Sequence, residues 1–316
     1  MRWLLRILLF VCGLLGFVFT QGLDKAYAET PRASSKSKES NDKITGWHLR
    51  LALAGSYNNL GLQFGGEGGY RWRLYDHDSL ALKDNFLKLG VTAVVTPATI
   101  AGGPVLRIKP ASFFFFSVAY IYRLYLPAFM GGTVFKDMED VRSHFQGTTY
   151  FYDGQQRLDA RVNDVIARNN GRLLFGAHLL RFGATLQLRF KGVLALVNAR
   201  MYLLWAPFED VDNSQVYYEA TYDVMVKKED QIFDMIAGLG YQWRNFRFLG
   251  TVSYTLAVQS QEVRLGIGPA FQWVFLKKWR SVYQPSLLVI ARWWAQHRFR
   301  VGPMPNIAFI LESQFR

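Results

Sequence analysis

The 316-residue sequence has little cysteine, fewer acidic than basic residues, and no long uninterrupted apolar run after its N-terminal segment. A single cysteine, Cys12, excludes a disulfide framework and any zinc site built on cysteines. After residue 28, only residues 89–106 approach the roughly 20 uncharged positions that a membrane-spanning helix needs. Pro97 and Pro104 interrupt that stretch, so the sequence excludes a helical membrane protein.

The N-terminus has the three parts of a secretory signal peptide. Arg2 and Arg6 precede the apolar run ILLFVCGLLGFVF, and the small-residue site AYA ends at Ala28. We predict that residues 1–28 are a signal peptide; the alternative is a retained anchor helix. Residues 29–45 are rich in Ser and Lys and predict a flexible leader. The full sequence has a net charge of +13, and the chain remains strongly basic after the signal peptide is cleaved.

Period-two alternation recurs through residues 46–316 and predicts β-strands. Between residues 60 and 74, Leu62, Phe64 and Trp72 share one face, while Glu67 and Arg71 lie on the other. Such segments are long for globular strands. Twelve are recognisable, at residues 46–56, 59–75, 85–96, 102–110, 113–126, 172–190, 193–205, 232–243, 246–258, 262–276, 284–295 and 305–315. We predict an all-β fold, a transmembrane antiparallel barrel of about twelve strands; a soluble sandwich or lipocalin-like protein is the alternative.

Connection lengths and tryptophan positions agree with a barrel. The two-residue turns at Lys191 and Arg244 fall on one side of a twelve-strand count, and the long connections 127–171 and 206–231 fall on the other. Tryptophan concentrates where a bilayer meets water. The predicted membrane-interface aromatics are Trp47, Trp72, Trp205, Trp243, Trp273 and Trp293.

The signal peptide, the alternating segments and the final strand PNIAFILESQFR together resemble Gram-negative outer-membrane β-barrel proteins of the porin-like class. The resemblance implies location in the cell outer membrane, a periplasmic leader and long extracellular loops. It also implies outer-membrane lipid, lipopolysaccharide and the barrel-assembly machinery as partners. That machinery usually reads a terminal aromatic residue, whereas here Phe315 is followed by Arg316.

Basic residues dominate the inward register. The predicted lumen-lining residues are Arg50, Glu67, Arg71, Arg73, Lys88, Arg107, Arg123, Arg181, Arg189, Arg200, Asp234, Arg247, Arg264, Arg292 and Glu312. Lys109 shares that register. So few acids cannot neutralise the cations, which favours a positive lumen and a pathway for small anionic solutes. The alternative is a polar plug, in which the arginines are tied to acids, to Tyr202 and to backbone carbonyls.

The connection 127–171 contains an amphipathic stretch, RLDARVNDVIARNN, that could fold into the lumen. General porins drop a comparable loop into the pore and set its acids against wall arginines. The acids in similar places here are Asp137, Glu139, Asp140, Asp159 and Asp164. A charged surface loop is the other interpretation of this segment.

Enzyme, metal, cofactor and nucleic-acid functions find no pattern to support them. None of the five histidines lies in the His-x-Ser-Asn-Gly context of outer-membrane phospholipases. No ligand cluster, phosphate-binding loop or dinucleotide fingerprint is present. We predict a passive, anion-favouring channel without a cofactor. The alternative is a closed barrel that acts as a structural or surface-interaction protein through its long outer loops.

Overall fold

The computed structural model describes residues 45–57, 61–77, 79, 81–126, 134–135, 175–206, 216–219, 221–222, 224–275, 278–279, 282–296 and 305–315. The predicted signal peptide and nearly all of the predicted leader lie outside these residues. Within the described ranges, no helix is long and apolar enough to cross a membrane.

The described chain is built from β-strands. In order they are β1 (Gly46–Tyr57), β2 (Gly61–Trp72), β3 (Phe86–Val95), β4 (Thr99–Ala111), β5 (Phe114–Tyr125), β6 (Val134–Phe135), β7 (Phe175–Phe190), β8 (Val193–Trp205), β9 (Val216–Glu219), β10 (Val224–Lys227), β11 (Glu229–Trp243), β12 (Phe246–Ala257), β13 (Glu262–Val274), β14 (Lys278–Trp279), β15 (Val282–Gln296) and β16 (Asn306–Phe315). Twelve of these strands are long, and the four short ones lie in connections.

The twelve long strands form one closed antiparallel barrel. Sequential long strands pair with each other around the sheet, and β13 pairs with β15 across the connection that contains β14. The barrel closes where β1 pairs with β16, so that Leu53 lies opposite Leu311 on one side and Phe64 on the other. Closure leaves no unpaired edge in the barrel sheet. The predicted fold class and strand number are confirmed.

The two ends of the barrel differ in the length of their connections. Tight turns join β7 to β8 and β11 to β12 at what we call the inner end. These turns need a left-handed backbone, with φ of 44° at Lys191, 90° at Gly192 and 53° at Arg244. The opposite, outer end carries the connections 126–174 and 206–228. Both long connections therefore lie at the end opposite the tight turns, as the sequence predicts.

Large apolar side chains cover the outward face of the barrel. Leu62, Phe64, Phe248 and Phe309 are all exposed. A continuous exposed apolar surface of this kind is typical of a barrel surrounded by lipid hydrocarbon. The six predicted interface tryptophans are also exposed, and Trp47 has 74% of its surface accessible to solvent. Their position at the membrane interface stays a prediction.

The fourth barrel strand is longer than its predicted range of 102–110. It begins at Thr99, three residues earlier than predicted, and includes Gly103 and Pro104. Pro104 is exposed, and the ladder between β4 and β5 skips from Gly102 to Val105 at this point. The strand therefore accommodates a residue without an N–H group where its pairing with β5 is interrupted.

The outer half of the barrel contains a packed apolar core. Inward side chains such as Val105, Ile121 and Leu179 form one buried cluster with Tyr217 and Val226, which come from the outer connection 206–228. The sequence analysis predicts an inward face dominated by polar and basic residues. The difference arises because part of an outer connection folds back into the barrel and supplies apolar partners for these positions.

We expect the outer end to face the cell exterior, because parity from a periplasmic N-terminus puts it there. An epitope tag inserted at Asn213 should be labelled by antibody on intact cells. A tag inserted at Asn245, in a tight inner turn, is the matched control and should be labelled only after lysis. The reverse pattern would contradict the predicted orientation.

Candidate functional site

A small second sheet closes the outer part of the barrel. β9 and β10 form an antiparallel hairpin, and β6 from the preceding long connection pairs with β9. We call β6, β9 and β10 the cap sheet. Val216, Tyr217, Val224, Met225 and Val226 of this sheet are fully buried. Strands in surface loops usually leave one face exposed to solvent. Because consecutive residues of the cap sheet are buried, both of its faces are covered, and the sheet packs inside the mouth of the barrel.

One buried carboxylate joins the cap sheet to the barrel wall. Glu219, the last residue of β9, is 0% exposed and forms an ion pair with Arg123 of β5. The hydroxyl of Tyr125 donates a hydrogen bond to the same carboxylate. The backbone N–H of Thr221 also donates to it, at 3.0 Å. We call this group of Glu219, Arg123 and Tyr125 the latch.

Further hydrogen bonds attach the hairpin to the outer rim. The hydroxyl of Ser260, in the turn between β12 and β13, donates to the carbonyl of Met225 at 2.6 Å. The buried carboxylate of Asp230 accepts from the backbone N–H groups of Gln259 at 2.8 Å and Lys227 at 3.2 Å. Asp230 therefore connects the base of the hairpin to the neighbouring turn.

Two tyrosines of the cap connection add aromatic contacts but no charge. The Tyr217 ring meets that of Tyr125 edge-on, with centroids 5.7 Å apart, and Tyr222 lies 4.6 Å from Tyr202. Burial holds the pKa of the Tyr217 and Tyr222 phenols well above the usual value, so both stay neutral at physiological pH. Glu219 is thus the charged group that the described part of the hairpin turns toward Arg123.

A cavity of about 300 Å³ lies inside the barrel and is lined on one side by Thr221 and Tyr222. We call it the arginine chamber, because five arginines line it: Arg123, Arg181, Arg200, Arg264 and Arg292. Of the described residues that line it, one is acidic, Asp234. Five long barrel strands supply these arginines, which places guanidinium groups on opposite sides of the space.

The charges of the chamber are unbalanced. Glu219 compensates Arg123, and the described lining residues contain one further carboxylate, that of Asp234, beside the other arginines. Asp234 lies opposite Arg200 in the pairing of β8 with β11, and it accepts a hydrogen bond from the Thr255 hydroxyl at 3.0 Å. Among the described residues, no carboxylate forms an ion pair with Arg181, Arg200 or Arg292.

Packing holds part of this arginine set in place. The guanidinium carbons of Arg264 and Arg292 lie 4.8 and 5.5 Å from the ring centroid of Trp294, which is buried. Arg264 also donates to the Thr255 hydroxyl at 3.2 Å. Two guanidinium groups against one indole are oriented before any anion arrives, which lowers the entropic cost of binding one.

Other predicted lumen residues form a compensated cluster. Glu67 forms ion pairs with Lys88, at 2.9 Å, and with Arg107. Lys88 is 2% exposed and Glu67 is also buried. Arg50 of β1 pairs with Glu312 of β16 at 2.6 Å, in a more exposed position. These contacts have the character of the polar-plug alternative, because each cation has a carboxylate beside it.

The remaining predicted lumen residues lie apart from the chamber. Arg71 stacks on the Phe86 ring at 4.6 Å, and Arg247 donates to Gln272 at 3.0 Å. Arg73 lies beyond the end of β2 and pairs with Asp76, while Arg189 is exposed near the inner end of β7. Lys109 pairs with Asp84. That all these side chains line one continuous lumen stays a prediction.

Sequence reasoning missed the cap sheet. In the connection 127–171, the candidate helix and the acids Asp137, Glu139, Asp140, Asp159 and Asp164 lie outside the described residues. The sequence pattern does not distinguish Glu219 from the other acids of the connection 206–231. The signal that was available is the pair of short apolar runs, VYYE and VMVK, separated by a turn.

His178, which lies in the middle part of β7, has aromatic and hydrogen-bonding neighbours. His178 of β7 stacks on Trp205 at 5.6 Å, and its Nδ1 lies 2.6 Å from the Tyr120 hydroxyl. Trp205 and Tyr120 are exposed on the outward face. Over the described part of the chain, no three His, Cys, Asp or Glu residues are grouped so as to hold a metal ion.

Solved structures similar to this barrel come from bacterial surface proteins. The β domain of the Bordetella autotransporter BrkA aligns with a TM-score of 0.42 and 10% identity, over 86% of this chain and 99% of that one. The NanC porin aligns at 0.39 and 6% identity, over 85% and 99%. The Acinetobacter baumannii outer membrane protein Omp33 aligns at 0.36 and 7% identity, over 86% and 98%.

Sequence comparison adds no relative to these. No protein-family model matches the chain, and no curated protein matches it in sequence.

Proposed function

We propose that this outer-membrane β-barrel carries small anions across the membrane, with the arginine chamber as its selective section and the cap sheet as its outer closure. The observation that carries the proposal is the unbalanced charge of the described part of the chamber, in which Arg181, Arg200 and Arg292 form no ion pair and Asp234 is the one carboxylate beside them. A positive potential between the low-dielectric walls of a barrel attracts anions and repels cations.

The arrangement of charges along the barrel supports a pathway rather than a plug. Cations near the base of the lumen, such as Lys88 and Arg107, are neutralised by Glu67. Around the chamber, Arg181, Arg200 and Arg292 have no such ion pair among the described residues. A structural plug has no use for uncompensated buried cations, because burying a charge without a partner is costly. A solute anion is the natural counter-charge at this position.

The second candidate function, a closed barrel that interacts through its outer loops, has one observation in its favour. The cap sheet fills the outer half of the barrel with an apolar core, and such a core is typical of stable closure. The two functions differ in a single measurable property, namely whether purified protein conducts ions. Neither function needs a cofactor or a chemical step, and the proposed partners are outer-membrane lipid, lipopolysaccharide and the assembly machinery.

Charge reversal in the chamber should change ion selectivity. We expect Arg200→Glu to lower the anion-to-cation permeability ratio about tenfold or more, because it reverses a charge beside Asp234 within a confined space. The matched control is Arg73→Glu, which makes the same substitution beyond the end of β2 and outside the chamber. The measurement is the reversal potential across a salt gradient in planar bilayers.

Three results would contradict the proposal. A cation-selective wild-type protein would show that the chamber arginines do not determine the potential of the pathway. The absence of conductance in the wild type and in variants with a weakened cap would favour the closed barrel. Equal shifts in the two variants would place the selective section outside the chamber.

A further inference from the structure

We infer that the arginine chamber is a saturable binding site for a compact oxyanion that carries two negative charges. This inference rests on the proposed anion pathway, since the chamber lies on it, and it goes further by assigning a binding step and a charge class of solute. A purely electrostatic filter would favour all anions without holding any of them.

The number of charges comes from the residues that line the chamber. Among the described residues, Arg181, Arg200 and Arg292 form no ion pair with a carboxylate, and Asp234 offsets one of the three, so that these groups have an excess of two positive charges. A monoanion would compensate only half of that excess. A solute with two charges compensates all of it.

The hydrogen-bonding capacity of the chamber points to oxygen acceptors. Arg181 and Arg292 lie on different sides of the barrel, and the Nε atom of each is buried without a hydrogen-bond partner in the described structure. A buried guanidinium N–H that lacks an acceptor is unfavourable, and phosphate or carboxylate oxygens satisfy it with good geometry. Both groups present paired oxygens that match the fork of an arginine.

The size of the chamber restricts the solute to small molecules. Its volume of about 300 Å³ is at the lower limit of typical ligand pockets. Thr221 and Tyr222 of the cap connection line one side, and apolar side chains such as Val94, Ile121 and Ile236 contribute to the rest. A polymeric anion would not be enclosed. A phosphate or a short dicarboxylate would be.

The test measures binding without any membrane current. Purified full-length protein in detergent is titrated by calorimetry with inorganic phosphate near pH 8, with succinate, and with acetate as the monoanionic control. We expect phosphate and succinate to bind saturably, with one site per chain, and acetate to bind at least about tenfold more weakly. Succinate binding without phosphate binding would restrict the class to dicarboxylates, and the converse would restrict it to phosphates.

Two variants on one strand locate the site. Arg181→Gln should weaken binding about tenfold or more, since it removes a charged hydrogen-bond donor from the chamber. Arg189→Gln, eight residues further along the same face of β7 and outside the chamber, should leave the affinity within about twofold. Circular dichroism establishes that both variants are folded, and Arg181→Lys, which keeps the charge, should recover part of the affinity.

The outcomes separate this inference from the proposed function. Anion-selective current without saturable binding would overturn the inference and leave the function intact. Binding that Arg181→Gln weakens, in a protein that never conducts, would retain the site and overturn the function. Acetate binding as tightly as the dianions, or equal losses in both glutamine variants, would also overturn the inference.

Discussion

Replacing Glu219 by Gln should open the barrel. The substitution removes the carboxylate that holds the cap sheet to Arg123 and Tyr125, and it leaves the buried guanidinium of Arg123 without a counter-charge. Breaking one partner of a buried ion pair typically costs about 3–5 kcal/mol. If that free energy stabilises the docked cap, the ratio of open to closed states should rise about a hundredfold or more.

Single-channel recording in planar bilayers measures this effect as the fraction of time spent open. Glu229→Gln is the matched control, because Glu229 lies in the same outer region at the start of β11 but is exposed. The control should behave as the wild type. An unchanged open fraction in Glu219→Gln would mean that the cap sheet is held by its apolar core alone, and that the latch does not determine closure.

The second large effect concerns stability. We expect Glu67→Gln to lower the free energy of unfolding by about 3–5 kcal/mol, since it leaves Lys88 and Arg107 close together in the lumen without a carboxylate. Lys88 is nearly inaccessible to solvent, so water cannot replace the lost partner. Guanidinium unfolding of the barrel in lipid vesicles, followed by tryptophan fluorescence, gives the measurement.

Glu312→Gln is the control, because it makes the same substitution in a more exposed ion pair. Its partner Arg50 has a side chain that is 48% exposed, and pairs of this kind contribute about 1 kcal/mol or less. A loss for Glu67→Gln that is no larger than the loss for Glu312→Gln would show that water reaches the cluster of Glu67, Lys88 and Arg107.

The barrel itself was predictable from the sequence because its physical requirement is local and repeated. Each strand must alternate between lipid and lumen, so a pattern such as Leu62, Phe64 and Trp72 against Glu67 and Arg71 is visible without any knowledge of partners. The barrel fold is confirmed, and its exposed apolar outward face agrees with the expected location in the outer membrane. Strand ends were less predictable, as β4 shows, since pairing interruptions depend on the neighbouring strand.

The cap sheet was not predictable in the same way. Its strands are only two to four residues long, and they are stable because they pack against Tyr125, Ile121 and Leu179 of the barrel. Short strands carry too little periodicity to be recognised alone. The same limit applies to the chamber: the inward register of Arg181 and Arg292 follows from alternation, but their grouping around one cavity depends on the shape of the closed sheet.

Joining the first barrel strand to the last constrains the order of events when the protein is made. Arg50 and Glu312, which meet at this seam, are 262 positions apart, so the ring cannot be completed until β16 has been translated and exported. Until β16 is available, β1 pairs with β2 along one edge and has no partner along its other edge. An unpaired strand edge of this kind promotes pairing with other chains. A ribosome that stops before β16 therefore releases a fragment prone to aggregation, and contacts this distant in sequence form slowly. Formation of a closed barrel, as opposed to a misfolded and aggregating chain, thus depends on the ten residues of β16.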